Sequence, residues 1–108
     1  MADDQQNVSP EAEQEGGLSF LAFVLSLAHT AAVHFGDIPD PVSGKISEPN
    51  LPAAQQMIDI LAMLEEKTRG NLSAEERQLI DQVLYELRMR FVEVSRAGAA
   101  PESRIILP

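Results

Sequence analysis

The sequence predicts an all-α domain in which an apolar N-terminal helix packs on an antiparallel helical hairpin, completed by self-association. Three observations support this three-helix domain. Apolar residues recur at helical spacing in three segments between residues 18 and 96. Residues that favour helix ends flank each segment, and proline- or glycine-containing stretches separate them. The chain has 108 residues and no cysteine, which suits one small domain without disulfides or thiolate sites.

Both ends of the chain are expected to lie outside this domain. Residues 1–17 contain five acidic residues and no Lys or Arg, so we expect a disordered acidic tail. Residues 97–108 are expected to form a flexible tail, in which Arg104–Leu107 is a short apolar patch. The net charge of −9 argues against nucleic-acid binding, because neutralising phosphates requires clustered Lys and Arg.

The first predicted helix is unusual because it carries no formal charge. Ser19 is the expected N-cap, the body runs from Phe20 to Phe35, and Gly36 is the expected C-terminal glycine. From Gly16 to Gly36 there is no Asp, Glu, Lys or Arg, and large apolar residues cover more than half of the helix circumference. The remaining stripe of small or weakly polar residues is a candidate oligomer contact: Ala22, Ser26, His29, Thr30 and Val33.

A proline-stiffened loop and a second helix come next. Three prolines deny a helix to Asp37–Asn50, where we expect an ordered loop with a short extended stretch near Lys45–Ser47. Asn50 is a plausible N-cap for the second helix, and Gly70 should end it. Its core face should comprise Ala54, Met57, Ile58, Leu61 and Leu64.

The third helix begins with a capping box formed by Ser73 and Glu76. We expect it to end around Val94–Ala97, before Gly98. Because the link between the second and third helices is short, the two should form an antiparallel hairpin. The predicted core stripe of the third helix comprises Leu79, Ile80, Val83, Leu84, Leu87, Phe91 and Val94.

Two apolar surfaces are left without a partner in this scheme. Two amphipathic neighbours cannot wrap a helix that is apolar nearly all round. On the third helix, Tyr85, Met89 and Val92 form an apolar strip away from the core, flanked by Arg88, and these four residues are a candidate partner surface. We therefore expect self-association and allow for an unidentified protein partner.

A lipid bilayer is the alternative to a protein partner for burying the apolar surface of the first helix. Sixteen helical residues span only ~24 Å, against a hydrocarbon core of ~30 Å. No Lys or Arg precedes the apolar run to anchor it. A peripheral position on the inner membrane thus remains the alternative to the cytoplasm.

No residue pattern indicates catalysis, a cofactor or a metal. His29 and His34 lie ~140° apart on a helix, unlike an i, i+4 pair that chelates one ion. The carboxylate pairs Glu65-Glu66 and Glu75-Glu76 fall at an exposed hairpin tip, where capping and solvated charge explain them. A helical ion pair between Glu86 and Arg90 explains that arginine. We expect a protein that is not an enzyme.

Several stretches together resemble a small uncharacterised bacterial family known as domain of unknown function 1844. The resemblance rests on Phe20–Gly36, Pro39–Pro41, Ile58–Leu72, Ser73–Glu76 and Leu84–Val92. It implies a bacterial, mostly helical, small soluble protein and brings no activity or cofactor. Its most specific piece is the turn after the second helix, which makes Lys67, Arg69 and Asn71 a candidate contact.

The leading hypothesis is a non-enzymatic helical interaction or assembly module in the bacterial cytoplasm. The alternative is a membrane-peripheral accessory protein attached through the first helix.

Overall fold

Three helices form the part of the chain that the structure describes. The computed structural model describes the backbone of residues 19–106 and the side-chain surroundings of residues 19–98. Within that range α1 is Phe20–Phe35, α2 is Leu51–Lys67 and α3 is Ala74–Ile106, with no strand. The predicted all-α class is confirmed. The acidic tail predicted for residues 1–17 and the side chains of the apolar patch at residues 104–107 lie outside the described residues.

The predicted caps hold both ends of α1 and the start of α2. The Ser19 hydroxyl accepts a hydrogen bond from the Ala22 amide at 3.0 Å. Gly36 ends α1 in the left-handed region, with φ +82°. The Asn50 side chain accepts from the Ala53 amide at 3.2 Å. Each cap satisfies backbone groups that a helix end leaves without a partner.

The hairpin turn between α2 and α3 begins two residues earlier than the sequence suggested. Helix α2 ends at Lys67, and Thr68 caps it by donating its hydroxyl to the Leu64 carbonyl at 2.7 Å. Gly70 follows within the turn at φ +89°. The capping box at the start of α3 is confirmed in both directions. Glu76 accepts from the Ser73 amide at 2.8 Å, and the Ser73 hydroxyl accepts from the Glu76 amide at 3.1 Å.

Helix α3 is longer than predicted. The expected end at Val94–Ala97 is wrong, because the helix continues through Gly98 to Ile106. Positive φ angles occur at Gly36, Gly44 and Gly70, whereas Gly98 lies inside the helix and does not act as a C-terminal cap. Its neighbours are alanines, the residues with the highest helix propensity, but the helix also continues through Pro101, which local propensity does not explain.

The core lies where the three helices meet, since each helix contacts the other two. Phe35 and Phe91 pack edge to face across it, with ring centroids 6.5 Å apart. Most predicted core positions are buried or half-buried. The buried core comprises Val24, Ala31, Phe35, Ala54, Ile58, Leu61, Ile80, Val83 and Leu84.

The loop between α1 and α2 folds back over the C-terminal end of α1. The Ser47 hydroxyl donates to the Val33 carbonyl at 3.3 Å, and the Asn50 amide donates to the His34 carbonyl at 2.7 Å. Val33 is buried, so its predicted place in an exposed oligomer stripe is wrong. The expected extended stretch at residues 45–47 has no regular secondary structure.

Candidate functional site

One side of α1 is open to solvent and carries no formal charge. We call this surface the α1 face; it comprises Ala22, Leu25, Ser26, His29 and Thr30, all exposed. Leu25 is 52% exposed and is the large apolar residue of this face. Apart from Val33, the residues of the predicted stripe therefore share one exposed surface. Leu25 is the fifth member of that surface in place of Val33.

The hydroxyl groups of the α1 face are already used within the helix. Ser26 donates to the Phe23 carbonyl at 2.7 Å, and Thr30 donates to the Ser26 carbonyl at 3.0 Å. Because both protons have acceptors, covering this face with an apolar surface would strand no hydroxyl donor.

The two histidines occupy different environments. His29 lies on the α1 face, whereas His34 is half-buried at the end of the helix that the loop covers. Among residues whose side chains the structure describes, no three His, Asp or Glu side chains are grouped so as to hold a metal ion.

A second exposed apolar surface lies on α3. We call Tyr85, Arg88, Met89 and Val92 the α3 strip. The exposed fractions are 65% for Tyr85, 46% for Met89 and 42% for Val92. Arg88 is exposed as well, so all four residues of the α3 strip are exposed as the sequence predicted.

The α3 strip borders an open groove between α2 and α3. The groove has a volume of about 400 Å³. Ala62 and Leu84 contribute apolar surface, and two carboxylates, Glu65 and Asp81, lie along it beside Tyr85, Arg88 and Met89. The sequence analysis missed Asp81, which continues the strip one turn towards the N-terminus. The i, i+4 spacing from Asp81 to Tyr85 and on to Met89 is the signal that could have found it.

Arg90 does not pair with Glu86, contrary to the sequence interpretation. It binds the Asp37 carboxylate through two nitrogens, at 2.6 and 2.9 Å, and donates to Glu93 at 3.1 Å. Glu86 accepts instead from the amide of Gln82 at 3.1 Å. The contact with Asp37 ties α3 to the loop after α1 and raises the pKa of Arg90 further above its ordinary value.

The residues predicted to form a contact at the hairpin turn are exposed, but one of them, Arg69, is held in an ion pair. Lys67, Arg69 and Asn71 are all exposed. Arg69 binds Glu65 through two nitrogens, at 3.1 and 2.6 Å, and this hydrogen-bonded pair lowers the pKa of Glu65. Helix-ending chemistry therefore accounts for Arg69, and only Lys67 and Asn71 keep their side chains turned to solvent without a described ion pair.

These features define a class of protein: a small all-α domain with two exposed helix faces and a shallow groove. None of the described helices combines the length and apolarity that crossing a membrane requires.

The chain belongs to the family described as Domain of unknown function (DUF1844), whose model matches residues 17–93. The resemblance seen in the sequence is thereby confirmed. The matched range contains the α1 face, the hairpin turn and the α3 strip up to Val92. No curated protein and no solved structure matches the chain.

Proposed function

We propose that this protein is a non-enzymatic, self-associating helical module that assembles through the α1 face. The observation that carries the proposal is that α1 leaves an arc of its surface exposed with no charged residue on it. The exposed side of a helix in a monomeric domain usually carries charged residues as well as polar ones, because that side faces water. An uncharged exposed side that includes a half-exposed leucine favours contact with another surface.

The chemistry of the α1 face suits close helix packing. Ala22, Ser26 and Thr30 are small and follow one another at i, i+4 spacing, so another helix can approach closely. The hydroxyls of Ser26 and Thr30 are bonded within the helix, so burying them leaves no donor without a partner. His29 is the polar side chain of this face that a contact must accommodate. Burying Leu25 adds a hydrophobic gain of about 1 kcal/mol per copy, since about half of its side chain is exposed.

A second copy of the chain is the partner that the charge distribution favours. The chain has a net charge of −9, so two copies repel one another over most of their surface. The α1 face is a place where they can meet without opposing like charges. In a two-fold arrangement the same surface serves both copies, and no additional complementary site is required.

A membrane surface is supported less well as the cover for this face. Helices that lie in the lipid interface usually carry Lys or Arg on their polar side, which attracts anionic headgroups. The α1 face is flanked by no such residue, and the overall acidity of the chain opposes binding to anionic lipid.

Placing one charge on the α1 face tests the proposal. Ser26→Glu should break the contact through the α1 face and lower the mass of the assembly, weakening this contact at least about tenfold, because two buried carboxylates would face each other. The matched control is Gln56→Glu, which adds the same charge at an exposed position of α2 and should leave the mass unchanged. Sedimentation equilibrium over a range of concentrations measures the masses, and circular dichroism checks the fold.

Two outcomes would overturn the proposal. One is a wild-type protein that stays monomeric at every concentration. The other is equal association of the wild type and Ser26→Glu. Flotation with phosphatidylcholine vesicles, alone and with phosphatidylglycerol, is the parallel arm. A monomeric wild type that floats with vesicles, while Ser26→Glu does not, would assign the α1 face to lipid instead.

A further inference from the structure

The exposed side of α3 carries opposite charges at its two ends. It is therefore complementary to the same side of a second copy that lies antiparallel to it. Asp81 lies at one end of the α3 strip, and Arg96 lies at the other. At ~100° per residue, Asp81, Tyr85, Met89, Val92 and Arg96 share one side of the helix within an arc of about 80°. All five are exposed. The side therefore runs from acidic through apolar to basic along some four turns of helix.

We propose that this side of α3 binds the same side of α3 in a second copy of the chain, with the two helices antiparallel. Opposing residues then have numbers that add up to 177. Tyr85 of one copy meets Val92 of the other, and Asp81 of one copy meets Arg96 of the other. The two-fold axis passes between residues 88 and 89, so the two Met89 side chains lie close to it.

The charges favour the antiparallel arrangement over the parallel one. With the helices parallel, Asp81 would face Asp81 and Arg96 would face Arg96, and both contacts are repulsive. The antiparallel arrangement converts these into two equivalent ion pairs. Among the described residues, Arg96 makes no ion pair within 4.0 Å, and Asp81 has a single loose one to Arg77 at 3.7 Å. Within the part of the chain whose side chains the structure describes, neither end is held by a close ion pair.

The groove beside the α3 strip fits the same occupant. Its two carboxylates, Glu65 and Asp81, lie at the end where Arg96 of the second copy would arrive. Ala62 and Leu84 offer apolar surface to Val92 of that copy. Arg88 lines the same groove as Glu65, and its charge adds to lowering the pKa of that carboxyl.

The proposal does not depend on the α1 face, and its test is built to keep the two separate. All variants carry Ser26→Glu, so that contact through the α1 face contributes nothing. If the α1 face makes no contact between copies, Ser26→Glu does not change association, and the test is unaffected. The contact between two single helices is smaller than interfaces of ~1,200–2,000 Å², so association is measured up to the highest soluble concentration.

Charge reversal is the first measurement. Asp81→Arg and Arg96→Asp should each weaken association about tenfold, because each replaces two attractions by two repulsions. The double variant carrying both changes restores opposite charges and should return to the starting affinity within about threefold. Singles that associate as well as the parent, or a double variant no better than the singles, would overturn the proposal.

Disulfide trapping is the second measurement and reports geometry. The chain has no cysteine, so an introduced one is unique. Met89→Cys lies next to the axis and should form a disulfide-linked dimer on mild oxidation. Gln78→Cys is the matched control: it is exposed on the same side of α3 and belongs to no proposed ion pair, but its own counterpart lies ~31 Å away along the helix. Equal crosslinking at both positions indicates a parallel or nonspecific contact, and no crosslinking at Met89→Cys excludes the antiparallel pair.

Discussion

At the scale of single residues, the glycines show how differently the same amino acid is used. Gly36, Gly44 and Gly70 all have positive φ angles, where a side chain is strained. A Cβ atom at Gly44 or Gly70 would meet nothing within 4 Å. At Gly36 it would come to 2.7 Å from the Ser47 carbonyl oxygen, so the backbone itself is in the way. Gly36 therefore both ends α1 and admits the loop that returns over it.

Gly36→Ala should thus destabilise the protein more than Gly44→Ala. We expect a loss of about 2–4 kcal/mol at Gly36, the sum of φ strain and displacement of the loop, against about 1 kcal/mol at Gly44, where strain acts alone. Urea denaturation followed by circular dichroism measures both. A loss at Gly36 no greater than that at Gly44 would show that the contact with Ser47 has no energetic weight.

At the scale of elements, the turn between α2 and α3 combines a helix cap, an ion pair and a capping box within the twelve residues from Glu65 to Glu76. Thr68 closes α2 and Ser73 opens α3, each through hydrogen bonds to its own helix end. The Glu65–Arg69 pair extends from the last turn of α2 into this turn at 2.6 Å. Local bonds of this kind define the turn without long-range contacts, which explains why sequence patterns located it well.

The Glu65–Arg69 pair makes the turn sensitive to acid. The hydrogen bond from Arg69 is the main cause that lowers the pKa of Glu65 below its ordinary value of 4.5; the charges of Arg69, Arg77 and Arg88 add to it. Because the folded-state pKa is depressed, the stabilising contribution is present above pH 4.5 and disappears as the pH falls through the lowered pKa. Since the pair is exposed to solvent, we expect a small effect.

Carbon-13 NMR titration of the Glu65 carboxyl measures this shift. We expect a midpoint below 4.5 in the wild type and a midpoint closer to that value in Arg69→Gln. Lys67→Gln is the control, because it removes a positive charge from the same turn without touching the bidentate contact. Equal midpoints in the wild type and Arg69→Gln would contradict the assignment of the hydrogen bond as the main cause.

At the scale of the whole molecule, a small acidic domain leaves apolar surface exposed on two separate helices. Leu25 on α1 is about half exposed, and Tyr85, Met89 and Val92 on α3 are each more than two-fifths exposed. Two different self-complementary faces on one chain produce assemblies larger than a dimer, because each copy can bind two neighbours. The proposed contacts through α1 and α3 therefore imply a tetramer or a longer array.

The masses of three variants test this combination. The wild type should exceed a dimer at high concentration; Ser26→Glu and Arg96→Asp should each stop at a dimer, because one face is lost in each. The variant with both changes should be a monomer. Native mass spectrometry distinguishes these species. A dimeric wild type that becomes monomeric through Ser26→Glu alone would retain the α1 contact and reject the α3 contact.

Helix ends were within reach of the sequence because their causes are local. Ser19, Asn50 and the Ser73–Glu76 pair bond to amides three residues away, so adjacent residue types suffice to predict them. The end of α3 was predicted wrongly for the same reason. The glycine at position 98 indicated a helix end locally, but the helix continues to Ile106.

The sequence by itself determined the three helices, their caps, most of the core and the exposed strip at Tyr85, because each follows from periodicity or from bonds between near neighbours. Only the tertiary structure decided where the open side of α1 ends, since that depends on where the loop returns. It buried Val33 under that loop, left Leu25 in solvent and joined Asp37 to Arg90 across 53 positions of the chain. Contacts between residues far apart in sequence are set by the packing of the whole chain, and helical periodicity does not predict them.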